Sequence, residues 1–135
     1  MNIKRFLLAC LGVYIAIQVT NPVVHGVFLG KEYEALSHVW RADMTSKMWV
    51  MFITDAVFAL LFIYIYSKGR EGRGIGEGIR FGIIVGLLMN GVGLLNQYVV
   101  YPVPFSLVIK WFILAMIQFV IYGLLACLIY KPKEA

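Results

Sequence analysis

The chain has 135 residues, of which 61% are hydrophobic and only 14% charged, and its mean hydropathy is +0.84. A water-soluble domain of this size needs more polar surface, so the composition excludes one. The formal charge of +5 comes from Lys and Arg at the ends of apolar runs, where they orient membrane segments, and no basic patch with interleaved exposed aromatics points to nucleic acid.

A bilayer core takes about 20 apolar residues of helix. The first qualifying stretch runs over residues 6–29 and is interrupted by Asn21-Pro22, where the missing proline N–H predicts a kink. Lys4-Arg5 ahead of this run imitates a signal peptide, but no small-x-small cleavage site follows, so an uncleaved first helix is expected. An outer loop, residues 30–47, comes next. Its Tyr33, Leu36 and Trp40 recur at three and four residues, which predicts a short amphipathic helix lying on the membrane face. The second span covers residues 48–66. A glycine-rich basic turn, Lys68 to Gly74, leads into the third span at 78–101; it lacks a phosphate-loop pattern and suits anionic lipid headgroups. Pro102-Val103-Pro104 is so short a link that the fourth span, 106–130, must run antiparallel beside the third. The expected fold is all-α, a polytopic antiparallel bundle of four transmembrane helices forming one domain over residues 1–135.

Lys4, Arg5, Lys68, Arg70, Arg73, Arg80, Lys131 and Lys133 fall on one side of these spans, and Lys31, Arg41, Lys47 and Lys110 on the other. The positive-inside rule then places both termini in the cytoplasm. Tyr64, Tyr66, Tyr98, Tyr101, Tyr130, Trp49 and Trp111 stand near span ends, as interface aromatics do.

The third span carries small residues at a fixed interval: Gly78, Gly82 and Gly86, continued by Asn90, Gly93 and Gln97. At about 100° per residue, positions 82 to 97 of this set fall within roughly 80° of arc. Such a stripe lets a second backbone approach closely in a bilayer, so Gly78, Gly82, Gly86 and Gly93 are expected at helix contacts. Gly91 and Gly93 face more than one side, which allows packing against another copy or a membrane-protein partner as well as within the chain.

Each span also places a polar side chain near mid-depth: Gln18, Asp55, Asn90 and Gln118. Tyr14, Gln18, Asn21 and His25 share one face of the first span within about 60°. Met44, Met48, Met51, Asp55, Ala59 and Phe62 form a stripe on the second, and Trp111, Leu114, Gln118 and Tyr122 one on the fourth. Turned inward, these faces predict an interior that is polar from mid-depth towards the outer side, with Asn21, His25 and Gln97 extending it. Polar groups at that depth must find partners in the bundle. They are read either as a hydrogen-bonded layer that fixes helix register or as a site for a ligand, proton or small solute. Asp55 carries the second reading, with His25 or Lys110 as its possible counter-charge.

No catalytic residue is indicated, since no Ser or Cys stands beside a His. Cys10 and Cys127 lie in apolar runs without metal-type spacing and read as buried small residues. His25 with Met44, Met48 and Met51 offers soft ligands for Cu(I), but methionines in such a stripe are chiefly core filler. No metal or cofactor is therefore expected. The leading expectation is a non-enzymatic membrane protein that packs against itself or a partner among membrane lipids. The alternative is a binding or transport bundle centred on Asp55, and a weaker one is an accessory subunit of a redox or photosynthetic complex.

Three stretches carry a likeness to known sequences: His25-Gly26-Val27 followed by Tyr33-Glu34-Ala35-Leu36 and Trp40-Arg41; Lys68 through Gly74; and Gln97-Tyr98-Val99-Val100-Tyr101-Pro102. Together they resemble a group of small, functionally uncharacterised bacterial membrane proteins of about this length. The resemblance implies a four-helix fold and a bacterial inner-membrane location, and it supplies no catalytic residues.

Overall fold

The computed structural model describes residues 1–131. Lys133, counted above on the inner side, lies outside them. Four helices long and apolar enough to cross a membrane cover Ile3–Phe28, Trp49–Gly69, Ile75–Val100 and Phe105–Ile129. At 1.5 Å per residue, the shortest of them, 21 residues, reaches about 32 Å and spans a hydrocarbon core. They alternate in direction. Met1, Lys131 and the 70–74 turn therefore share one end, called near, and residues 30–48 with the 101–104 link form the far end.

Helix α1, Ile3–Asn21, starts where the Asn2 side chain accepts the Arg5 N–H at 3.2 Å. The expected break at Pro22 takes a particular form. The chain does not bend out of helix but continues as a π-helical segment, Pro22–Phe28, that closes with Leu29 N donating to the Val24 carbonyl at 3.1 Å. Proline has no N–H to give to Gln18, so the register slips to five residues and the helix survives. A second π segment, Leu87–Gly91, joins α5 (Ile75–Gly86) to α6 (Val92–Val100) within the third span. Helices α4, Trp49–Gly69, and α7, Phe105–Ile129, are regular throughout.

The far-end loop departs from expectation. Residues 30–47 do not form one helix lying flat. They give α2, Gly30–Ala35, a run of turns, and α3, Met44–Lys47. Tyr33, Leu36 and Trp40 turn inward and pack over Val24, Leu29, Val103, Leu107 and Val108, so the apolar stripe covers the bundle end. The Trp40 indole N–H donates to the Tyr33 carbonyl at 3.0 Å and holds the turn closed.

The near half is densely filled. Ala9, Val13, Ile17, Ala59, Phe62, Ile63, Tyr122 and Ala126 are buried in one cluster, with Phe58, Phe81 and Phe119 wedged between the helices. Phe62 and Phe81 have ring centroids 4.7 Å apart, and Phe58 and Phe119 5.5 Å. Tyr66 and Tyr130, expected at the interface, are instead buried in this cluster. Cys10 and Cys127 are buried there as free thiols.

Three of the four stripe glycines form the α5–α7 contact. A Cβ on Gly82 would stand 2.2 Å from the Phe119 carbonyl oxygen, and one on Gly78 2.5 Å from that of Gly123. Gly86 faces Met116 and Phe119 at 3.0 Å. Gly93 does not join them, since a Cβ there would meet nothing within 4 Å. The π segment explains the difference. Five residues at about 80–85° each, rather than 100°, turn α6 by roughly a quarter turn relative to α5.

The near-end turn is built around Glu77. Its carboxylate accepts the backbone N–H groups of Glu71 and Arg73, both at 2.7 Å. Gly72 and Gly74, at φ of 79° and 75°, supply the left-handed backbone that this ring requires.

Candidate functional site

The two halves of the bundle differ. Phe58, Phe62 and Phe119 bring α4 against α5 and α7 in the near half. Beyond them α4 keeps no such partner, and Trp49 through Thr54 are all exposed. Across from it, Leu87–Met89 and Leu95–Val100 are exposed as well. Between these elements the far half opens into two cavities of about 570 and 610 Å³ that share Asn21, His25, Tyr33, Asp55 and Trp111 in their walls. The first lobe lies between α4 and the third span, with Thr54 and Phe58 on one wall and Met89, Asn90, Leu94 and Gln97 on the other. The second lies under the far-end loop, bounded by Gln18, Trp40, Phe52 and the methionines 44, 48 and 51.

All seven polar residues singled out in the sequence line these lobes. Asn90, Gln97 and Gln118 line the first, Gln18 the second, and Asn21, His25 and Asp55 both. They do not form the single shared layer that equal depth suggests. Two separate groups bridge the helices. In one, Gln18 Nε2 donates to Asp55 Oδ2 at 2.9 Å and ties α1 to α4. In the other, the buried Gln118 amide points at Thr20 Oγ1, 2.9 Å, and Asn21 Oδ1, 3.0 Å, with the Tyr122 hydroxyl at 3.2 Å. Tyr122 and Thr20 share a further bond of 2.8 Å. This group ties α1 to α7. Asn90 joins neither. Its Nδ2 donates to the Gly86 carbonyl of its own helix at 3.0 Å, where the π segment begins.

A third polar centre was not evident from sequence. The Tyr33 hydroxyl stands 2.7 Å from the Trp111 indole nitrogen and 2.5 Å from His25 Nδ1. An indole N–H only donates, so the phenol oxygen accepts from Trp111, while the imidazole tautomer sets which of Tyr33 and His25 Nδ1 donates to the other. Burial pushes the Tyr33 phenol above its ordinary range, against the opposing bond from Trp111. Neither counter-charge considered for Asp55 bonds to it: His25 is held by Tyr33, and Lys110 pairs with Glu32. That ion pair pins α2 to the start of α7, and the Lys110 bond holds the Glu32 carboxyl below the ordinary carboxylate range.

Thr20 and Tyr33 are thus part of the site beside Trp111, which the inward stripe of the fourth span places there, though the sequence marked Tyr33 only as a surface aromatic and Thr20 not at all. The available signal was the tight Leu29-Gly30 bend, which folds Tyr33 back over His25. Chemically, the lobes combine one carboxylate, amides and hydroxyls with a large apolar wall. Their volumes fall in the range of small-molecule pockets, about 300–1,000 Å³. No protein-family model, curated protein or solved structure matches the chain.

Proposed function

We propose that this multi-pass membrane protein binds a small amphipathic molecule in its far half and performs no chemistry on it. The polar end of the ligand lies at Asp55 and Gln18, and its apolar part runs along the methionine and phenylalanine wall. The observation that carries this reading is the convergence of seven polar residues from all four spans on two lobes that share Asp55. An intramembrane carboxylate facing a cavity is a functional-site candidate by default. With both termini in the cytoplasm the far end faces outward, and a bacterial inner membrane is the location we assign.

Native mass spectrometry of protein released from mild detergent tests the reading. The parent chain is expected to retain a small-molecule or lipid adduct. Ala115→Phe, which fills the first lobe, and Asp55→Asn should each reduce it. Equal adduct retention in all three proteins, or none in any, would remove the basis for a site.

A role in packing against a second copy is the other reading. Gly78, Gly82 and Gly86 are taken up by α7 of the same chain, so the open small-residue surface at Gly91 and Gly93 would have to carry it. The same spectra report subunit number, and Gly93→Leu should abolish any dimer made through that face.

A further inference from the structure

Resting on the binding reading above, we infer that the ligand is a lipophilic organic cation, held by the Asp55 carboxylate and the aromatic corner of the second lobe. Among the described residues lining the two lobes, Asp55 is the single carboxylate, and there is no Lys or Arg. Three far-end cations are engaged elsewhere: Lys110 with Glu32, and Arg41 and Lys47 with Asp43 at 2.9 Å each. Lys31 is exposed on the outer surface of the loop. His25 Nδ1 is taken up by the Tyr33 hydroxyl rather than by Asp55. Gln18 holds one oxygen of Asp55, and the other takes no hydrogen bond from the described residues. A half-buried carboxylate with no cation of its own calls for one from outside.

The rings around it favour the same charge. Tyr33 meets Trp40 edge-on, with centroids 5.5 Å apart and planes at 79°, and meets Trp111 at 6.4 Å and 49°. The three rings are inclined to one another, and His25 stacks on Tyr33 at 5.8 Å and 17°, so the two indoles supply the open faces of this aromatic corner. Both indole N–H groups are spent on Tyr33, one on its carbonyl and one on its hydroxyl. These indoles therefore offer a ligand their π faces and no donor. A cation gains from such faces, whereas an anion meets a carboxylate and an aromatic wall of the wrong sign. The exposed methionines and Phe52 supply a surface for the apolar remainder of the ligand.

Three probes of one shape and three charges test the inference: tetraphenylphosphonium, neutral tetraphenylsilane and tetraphenylborate. Each is titrated onto the full chain in lipid nanodiscs, read by quenching of tryptophan emission, with empty nanodiscs subtracted. The cation is expected to bind at least tenfold more tightly than the neutral and anionic probes. Asp55→Asn, which keeps an acceptor for Gln18, should remove that preference at unchanged helical circular dichroism. Ala115→Phe narrows the adjoining lobe without touching the charge and should weaken all three probes alike, leaving the order intact. Equal binding of the three probes, or a preference unaffected by Asp55→Asn, overturns the cation inference and leaves the cavity reading standing. So does failure of all probes alongside a neutral or anionic native adduct. Failure of all probes with no native adduct overturns both.

Discussion

The same substitution made twice on one helix should act with opposite sign. At Gly82 an added Cβ would lie 2.2 Å from the Phe119 carbonyl oxygen, and contacts below 3.0 Å essentially do not occur. Relief requires α5 and α7 to separate by 0.8 Å or more at their closest point, because the obstacle is backbone and has no rotamer to change. A gap of that size forfeits about a quarter to a half of the dispersion attraction across the contact. Overpacking of this kind costs about 1–3 kcal/mol. Alanine returns about 1 kcal/mol as the better helix former, so Gly82→Ala is expected to lose up to about 2 kcal/mol. At Gly93 a Cβ meets nothing within 4 Å, and only the helix-propensity gain of about 0.5–1 kcal/mol remains. Reversible unfolding in mixed micelles, titrated with sodium dodecyl sulfate and followed by circular dichroism, reads both. Gly82→Ala at least as stable as the parent, or the two variants shifting in the same direction, would refute the placement of the stripe.

Gln118→Leu removes the side chain that, among the described residues, bonds to all of Thr20, Asn21 and Tyr122; at about 0.6 kcal/mol per membrane hydrogen bond it should cost about 1 kcal/mol in the same titration, and a stabilised variant would contradict the network. Tyr33→Phe leaves the Trp111 N–H and His25 Nδ1 without their common partner, so a shift in tryptophan emission and faster amide exchange in α2 are expected; unchanged spectra and exchange would disprove the hub. The Glu32–Lys110 pair has a defined pH signature. The folded-state pKa of Glu32 lies below its unfolded value, chiefly through the Lys110 bond, so its contribution is full above the ordinary carboxylate range and vanishes as pH falls through the folded value. Tryptophan emission from the loop should stay constant from about pH 8 to pH 5 and change below about pH 4, and Lys110→Met should abolish the change; a transition near neutrality would refute the assignment.

What the sequence discloses here follows from what a helix preserves. Depth along a span is proportional to residue number, and hydropathy is a property of long windows. The four spans were therefore legible. Pairing depends on azimuth and on which helices are neighbours. Nothing in the sequence says that Gln18 meets Asp55 while Gln118 meets Thr20 and Asn21. The angular reading held up to Gly86, where the helix is regular, and failed at Gly93, because the π segment after Gly86 breaks the 100° step on which it relied. The far-end loop misled for another reason. An apolar stripe of Tyr33, Leu36 and Trp40 fits a membrane surface and a bundle end equally, and only the stop at Ala35 turns it inward. Gly123, the counterpart of Gly78, stands alone in α7 and gives no periodic signal.

The gap between α4 and α6 also fixes how occupancy must be counted. Aromatic rings close the cavity towards the near end, and it opens sideways between two helices long and apolar enough to cross a membrane. For a pocket placed like this, the bilayer is the reservoir and its concentration scale is mole fraction in lipid. Diluting the membrane with more lipid at constant total ligand would then empty the site as surely as dilution with buffer empties a soluble receptor.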